Sequence, residues 1–351
     1  MRAPLIVIGA GGTAGHVVPA LAVADALRAE GAQVVFVGGE RAERELVPAA
    51  GYELRSLGML ALARRDPVRA ARAVAVDLRA VAGARRLIRD LRPDATLGAG
   101  GYVAGPVGLA SALARVPLVL MEADRHLGLT NRLLAPLAQR VCLTFPLTGR
   151  DGSRYRVTGR PVPAPATDRA AARARFGISA DEPCVLLFGG SQGARSINQA
   201  AIAAFAGAAF RILHAAGTRD LPGLTPPGPH YDLRGYIDGL AEAILASDLV
   251  VARSGGSVFE IAAHGRPMVL IPYPFAAADH QAENARYFES HGAAVVIPDS
   301  ELTGPRLAQE VGGLLADPER LAAMGRASAA LARPDAARDI AAEVLAAASV
   351  R

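Results

Sequence analysis

LIVIGAGGTAGH (residues 5–16) and PCVLLFGGSQG (residues 183–193) follow one plan: a short apolar run, a glycine-rich turn, then a segment able to form a helix. An apolar run of this length bounded by glycine reads as a buried strand. A glycine turn leading from such a strand into a helix turns backbone N–H groups toward any anion bound there. The plan occurs once near the start of each half. It predicts an α/β protein with two Rossmann-like, doubly wound domains facing across a cleft, with ligands at the carboxyl ends of the strands.

Working outward, further apolar runs fall at residues 34–37, 96–97, 118–121, 141–145, 211–214, 249–252, 268–271 and 294–297. Most are separated by enough chain for a helix, the pattern of parallel sheets with crossover helices. GRPVPAPATD (residues 159–168) holds three prolines and no apolar period, and reads as a linker. The expected division is a first domain over residues 1–160 and a second over 161–334. A final helix in residues 335–351 follows the break at Arg333-Pro334 and crosses back to the first domain.

Composition agrees. A chain of 351 residues, 51% of them hydrophobic, is long and apolar enough for two cores and is not a disordered chain. All 38 basic residues are arginine, and the net charge is +5. That excess suits a phosphorylated substrate, an anionic lipid surface or nucleic acid alike, so charge alone does not choose. Cys142 and Cys184 each lie in an apolar run and are expected to be buried thiols. No export signal and no apolar stretch long enough to cross a bilayer is read from the sequence.

The turns carry the chemistry. His16 ends the first one, at a helix N-terminus, where the helix dipole disfavours imidazolium and promotes a neutral base. GAGGYVAGP (residues 98–106) is a second glycine turn after a strand, suited to a diphosphate. In the other half, GGSQG (residues 189–193) offers hydroxyl, amide and bare backbone to phosphate oxygens. ARSGGSVFE (residues 252–260) brings Glu260 to a helix start, where a carboxylate accepts from ribose hydroxyls. DHQAEN (residues 279–284) is a polar cluster suited to sugar hydroxyls. Each turn has a plain structural use, as a tight turn or a helix cap. The first also resembles a dinucleotide site, with Glu40 as the ribose acid. Their recurrence at the carboxyl ends of strands in both halves is more than a purely structural protein needs.

Six blocks in order carry a closer resemblance: GGTAGHVVPALAVA (residues 11–24), LGAGGYVAGP (97–106), GLTNRLLA (128–135), GGSQGARSIN (189–198), ARSGGSVFEIAAHGRP (252–267) and HQAENA (280–285). In these the chain resembles the MurG family of GT-B glycosyltransferases. The resemblance implies an inverting transfer of N-acetylglucosamine from UDP-GlcNAc to the C4 hydroxyl of a lipid-linked N-acetylmuramyl-pentapeptide, lipid I to lipid II. It implies His16 as general base, with Glu122 and Asp124 as fallback bases. The implied donor set is Thr13, Gly15, Arg160, Ser191, Gln192, Gly193, Ile237, Arg253, Ser254, Gly255, Glu260 and Gln281. Within it Ile237 meets uracil, Glu260 the ribose and Gln281 the GlcNAc hydroxyls. Gly101, Tyr102 and Asn131, with Thr13 at their border, line the acceptor side.

Three departures from the family pattern stand out. MEAD (residues 121–124) keeps only the Glu of the family's His-Glu-Gln-Asn. GRPVP (residues 159–163) lacks a family arginine. His280-Gln281 replaces paired glutamines. The first departure keeps open another acceptor, or a nucleotide-sugar-binding paralogue without turnover. No Asp-x-Asp pair occurs, so no cofactor is expected to be required, and a divalent cation would be an accessory only. The implied partners are UDP-GlcNAc, the lipid-linked acceptor, an anionic inner-leaflet surface and cell-wall synthesis proteins, with no nucleic acid. The implied location is peripheral, on the cytoplasmic face of the membrane. Residues 54–93, with ten arginines against three aspartates, are the expected membrane-facing segment.

Overall fold

The structure, a computed structural model, describes residues 2–57, 67–190, 193–276 and 279–350, with side chains omitted over 67–78. It divides into two compact units: Met1–Pro163 with Arg333–Arg351, and Ala164–Ala332.

Unit 1 alternates strands and helices: β1 (Leu5–Gly9), α1 (Ala14–Ala29), β2 (Gln33–Gly38), α2 (Ala42–Ala49), β3 (Glu53–Ser56), α3 (Pro67–Leu91), β4 (Ala95–Gly98), α4 (Gly101–Leu113), β5 (Leu118–Glu122), α5 (Leu129–Leu134), β6 (Arg140–Leu143) and β7 (Tyr155–Val157). The strands form one parallel sheet in the order β3-β2-β1-β4-β5-β6-β7. The order turns back between β1 and β4, the switch point where a doubly wound sheet opens a crevice beyond its strand ends. Central strands are buried along their length because helices cover both faces.

Unit 2 comprises α6 (Arg169–Arg175), β8 (Cys184–Phe188), α7 (Arg195–Ala204), β9 (Arg211–Ala215), β10 (Tyr231–Arg234), α8 (Leu240–Ala246), β11 (Leu249–Ala252), α9 (Val258–Ala263), β12 (Met268–Leu270), α10 (His280–Ser290), β13 (Ala294–Val296), α11 (Gly304–Leu315) and α12 (Pro318–Leu331). Its parallel sheet runs β10-β9-β8-β11-β12-β13. Helix starts are set locally: Asp168, Thr303 and Asp317 cap α6, α11 and α12 through side-chain oxygens.

The last helix, α13 (Ala336–Ala348), returns to unit 1. Its Ile340, Ala341, Val344 and Ala347 are buried in the same core as Ile6, Val17 and Leu27. All ten apolar runs of the sequence are strands. Three further strands, β3, β7 and β10, come from polar stretches at sheet edges. Both cysteines are buried thiols, pushed up to about 12 mainly by burial.

Candidate functional site

In unit 1 the loops after β1, β2 and β4 meet at one side chain that the sequence did not single out. Glu43, in the first turn of α2, is fully buried. Its Oε2 accepts from the Gly12 amide at 2.8 Å, and its Oε1 accepts from the Gly39 amide at 2.9 Å and the Tyr102 hydroxyl at 2.9 Å. Burial alone would push this carboxyl up. The bonds from Gly12, its own amide, Tyr102 and Gly39 outweigh burial and hold it below the ordinary carboxylate range. Tyr102 is raised to about 12 by burial and by the carboxylate it faces. Its hydroxyl is therefore a loop tie. The signal in the sequence was thin, an acid three residues past the Glu40 that had drawn attention. Glu40 instead pairs with Arg44 at an exposed position.

Gly101 opens α4 with φ +74°, and a Cβ there would lie 1.8 Å from the Gly11 carbonyl oxygen. No other residue fits, so the β1 and β4 turns touch backbone to backbone. The His16 ring lies against Gly100, where an added Cβ would come within 2.7 Å of its Cδ2. His16 sits in the first turn of α1, with Nδ1 at 3.3 Å from the hydroxyl of Thr13, the residue preceding the helix.

Arg160 and Gly15 are joined for a local reason. Pro19 lies inside α1 and has no N–H to give the Gly15 carbonyl four residues back. The Arg160 Nη2 donates to that carbonyl instead, at 2.5 Å.

Glu122 ends β5 and is buried. Its Oε1 accepts from the Asp124 amide at 3.1 Å, and its Oε2 from the Gly128 amide at 2.8 Å and Asn131 Nδ2 at 3.0 Å. Burial raises its pKa against the pull of those bonds. Asn131 Nδ2 also donates to the Met121 carbonyl at 2.8 Å. The pair staples the loop after β5, which makes Glu122 a clamp more than a mobile base. The Asn131 Oδ1 is buried with no partner among the described residues. Asp124 is half-buried beside this clamp.

Unit 2 has a counterpart built on a cation. Arg253, following β11, is buried. Its Nη1 donates to Asp299 Oδ1 at 2.5 Å and to the carbonyls of Ile271 and Pro272 at 3.2 and 3.1 Å, and its Nη2 to Ser196 Oγ at 2.8 Å. The guanidinium braces the loops after β11, β12 and β13 against α7. Ser254 is likewise engaged: its hydroxyl donates to the Gln281 carbonyl at 2.7 Å, and its carbonyl accepts from Asn284 at 3.1 Å. α9 starts at Val258, and Glu260 lies in its first turn, at the helix start expected for it.

Gln281, in the first turn of α10, accepts from the Tyr273 amide at 3.0 Å through Oε1, with Nε2 turned toward Gly255. Ile237 is buried, while its neighbour Tyr236 is 68% exposed. Ser191 and Gln192 lie outside the described residues. Beside them Gly193 has φ +76°, and a Cβ there would stand 2.1 Å from the Ala216 carbonyl oxygen. Behind this loop Asn198 of α7 donates to the Ala216 carbonyl at 2.8 Å and to Asp220 at 3.2 Å. That orients its Oδ1 toward His214 Nε2 at 3.0 Å, so Nε2 carries the proton and Nδ1 accepts from the Tyr231 hydroxyl at 2.8 Å. His214 is fully buried, and burial lowers its pKa to about 4.

Within each unit, then, the candidate residues gather at the carboxyl ends of a parallel sheet. The chain matches the glycosyltransferase family 28 N-terminal domain over residues 6–143 and the family 28 C-terminal domain over residues 184–340. It is 42% identical over 358 residues to the UDP-N-acetylglucosamine–N-acetylmuramyl-(pentapeptide) pyrophosphoryl-undecaprenol N-acetylglucosamine transferase of Halorhodospira halophila, covering 96% of each chain. The enzyme of the same name from Moorella thermoacetica is 41% identical over 354 residues, covering 94% of this chain and 95% of that one. The crystal structure of Acinetobacter baumannii MurG superposes with a TM-score of 0.79 at 28% identity, over 98% of this chain and 99% of that chain.

Proposed function

Because the chain belongs to the MurG family, within glycosyltransferase family 28 and the GT-B fold, we propose that it transfers N-acetylglucosamine from UDP-N-acetylglucosamine to the C4 hydroxyl of a lipid-diphosphate-linked N-acetylmuramyl-pentapeptide, with inversion at the anomeric carbon. Unit 2 takes the nucleotide sugar and unit 1 the lipid-linked acceptor. The observation that carries this reading is His16, a titratable ring in the first turn of α1 at the carboxyl end of β1, held through Nδ1 by Thr13.

A helix start disfavours a cation, which suits a ring that acts as a base. In the tautomer that carries the proton on Nδ1, Thr13 Oγ1 accepts from it and Nε2 takes the acceptor's hydroxyl proton. The new C–O bond forms at the anomeric carbon as the bond to UDP breaks, and the electron pair leaves with the β-phosphate. Amides at the start of α7 suit that developing charge. Asp124 is the better fallback base, since both oxygens of Glu122 are engaged.

Unit 1 also supports a peripheral membrane location. Leu109 and Leu113 of α4, Leu129 and Leu133 of α5, and Leu137 just beyond are exposed at 36–67%, with exposed Arg115 and Arg132 among them. Leucines beside cations suit an anionic bilayer surface. Among the described residues no helix is long and apolar enough to cross a membrane. Within the arginine-rich segment 54–93, residues 58–66 lie outside the described residues, as do the side chains of 67–78, so the leucines carry this part of the proposal.

The test is transfer of labelled N-acetylglucosamine to a short-chain lipid I analogue, with UDP-N-acetylglucosamine hydrolysis as control. Labelled lipid product is expected. Tight donor binding with no lipid product would refute the acceptor assignment.

A further inference from the structure

A buried anion is an unexpected foundation for a surface that receives a diphosphate, because like charges repel. Glu43 nevertheless lies beneath the three loops at the carboxyl ends of β1, β2 and β4. Its bonds have a directional consequence. The amides of Gly12 and Gly39 point inward to the carboxylate, so neither is turned toward a ligand. The donors of unit 1 left to face an anion are then the opening amides of α4 and those of α1 ahead of His16, whose own N–H already bonds the Thr13 carbonyl. Those two helix starts are kept in register by the same contacts. Gly12 leads into α1 and Tyr102 lies in the first turn of α4, and both are tied to Glu43. Gly101 meets Gly11 backbone to backbone at the same place.

We propose that Glu43 is a positioning residue for acceptor binding: its carboxylate, tied to Gly12, Gly39 and Tyr102, holds the starts of α1 and α4 as one receiving surface for the acceptor's diphosphate and sets His16 against it. This rests on reading unit 1 as the acceptor side. Glu43 touches no reacting atom, and its effect passes through backbone it orients.

Glu43→Gln and Glu43→Asp test it by different losses. Glutamine keeps the volume but turns an NH2 group toward a backbone N–H or the phenol. Aspartate keeps the charge but falls a methylene short. Each variant loses at least one buried bond, which corresponds to about tenfold in an equilibrium constant. Hydrogen exchange at Gly12 and Gly39 is expected to quicken by about tenfold or more in both variants, with the strands of unit 1 unchanged. The acceptor KM should rise by about tenfold or more, with the UDP-N-acetylglucosamine dissociation constant within about twofold of wild type. Unchanged exchange at both glycines would overturn the proposal, as would donor affinity falling in step with acceptor binding. A wild-type chain that transfers nothing counts against the functional reading, and the exchange comparison then still decides the role of Glu43.

Discussion

Lowering the pH should unfasten unit 2 through one side chain. His214 is fully buried between Tyr231 and Asn198, and its pKa falls from 6.5 to about 4 because burial penalises imidazolium. In the unfolded chain the same ring titrates near its ordinary value. Above that value neither state binds the proton, and His214 adds no pH dependence. Between 6.5 and about 4 the unfolded chain takes up a proton that the folded chain refuses, so stability drops as the pH falls and then levels off. The interval corresponds to roughly 3 kcal/mol, a large share of a domain's net stability. The assay is urea unfolding followed by far-ultraviolet circular dichroism at a series of pH values, since the chain has no tryptophan. His214→Gln serves as the comparison. It should cost about 1–3 kcal/mol at neutral pH, because Asn198 and Tyr231 lose a matched partner. It should also lose less on acidification than wild type, by roughly 3 kcal/mol. Carboxylates titrate alike in both proteins and cancel in the difference. Parallel pH curves for the two would refute the reasoning.

Four other outcomes are expected. His16→Ala should lower kcat for transfer by about 10²–10⁴-fold with donor affinity unchanged, and near-normal turnover would remove His16 from the base role. Gly101→Ala, whose Cβ would lie 1.8 Å from the Gly11 oxygen at φ +74°, should destabilise unit 1 by at least about 2 kcal/mol in thermal melts, and an unchanged melt would contradict the close approach. Arg253→Met leaves Asp299 without its cation and should cost about 3–5 kcal/mol; adding Asp299→Asn should recover part of it, and strict additivity in that cycle would argue against the brace. Leu129→Ser with Leu133→Ser should weaken sedimentation with anionic vesicles by about tenfold or more while leaving donor binding intact, each leucine losing on the order of 2 kcal/mol of burial. Equal sedimentation of variant and wild type would place the membrane contact elsewhere.

The legibility of the fold followed burial. Nine of the ten readable strands are central strands of a parallel sheet, which are covered on both faces and must be apolar throughout; the tenth, β13, is an edge strand that keeps an apolar run. β3, β7 and β10 escaped because they are edge strands: ELRS, YRV and YDLR keep solvent on one side and show no apolar run. The same logic applies to the site. Glycine turns announce themselves, whereas the partners that tie them do not. Arg160 answers a carbonyl left open by Pro19, 141 positions away in the chain, a pairing that only the folded backbone creates. Arg253 and Ser254 stood in the expected block, yet their polar atoms are engaged within unit 2 by Asp299, Ser196 and Gln281. In the altered MEAD block Glu122, the one residue kept, is the one that holds Asn131 and Gly128.

By itself the sequence determined the two-sheet α/β architecture, the glycine turns and the residue types that handle a nucleotide sugar. These are properties of local order: an apolar run, a turn needing a bare backbone, a helix start. Tertiary structure decided which polar groups remain available for chemistry and which are fastened inside. Glu43, Arg253, Asn131 and Tyr102 look alike on the page as polar residues near a turn. Their roles follow from burial, since a polar group taken out of water must find partners, and those partners come from strands and helices distant in the chain.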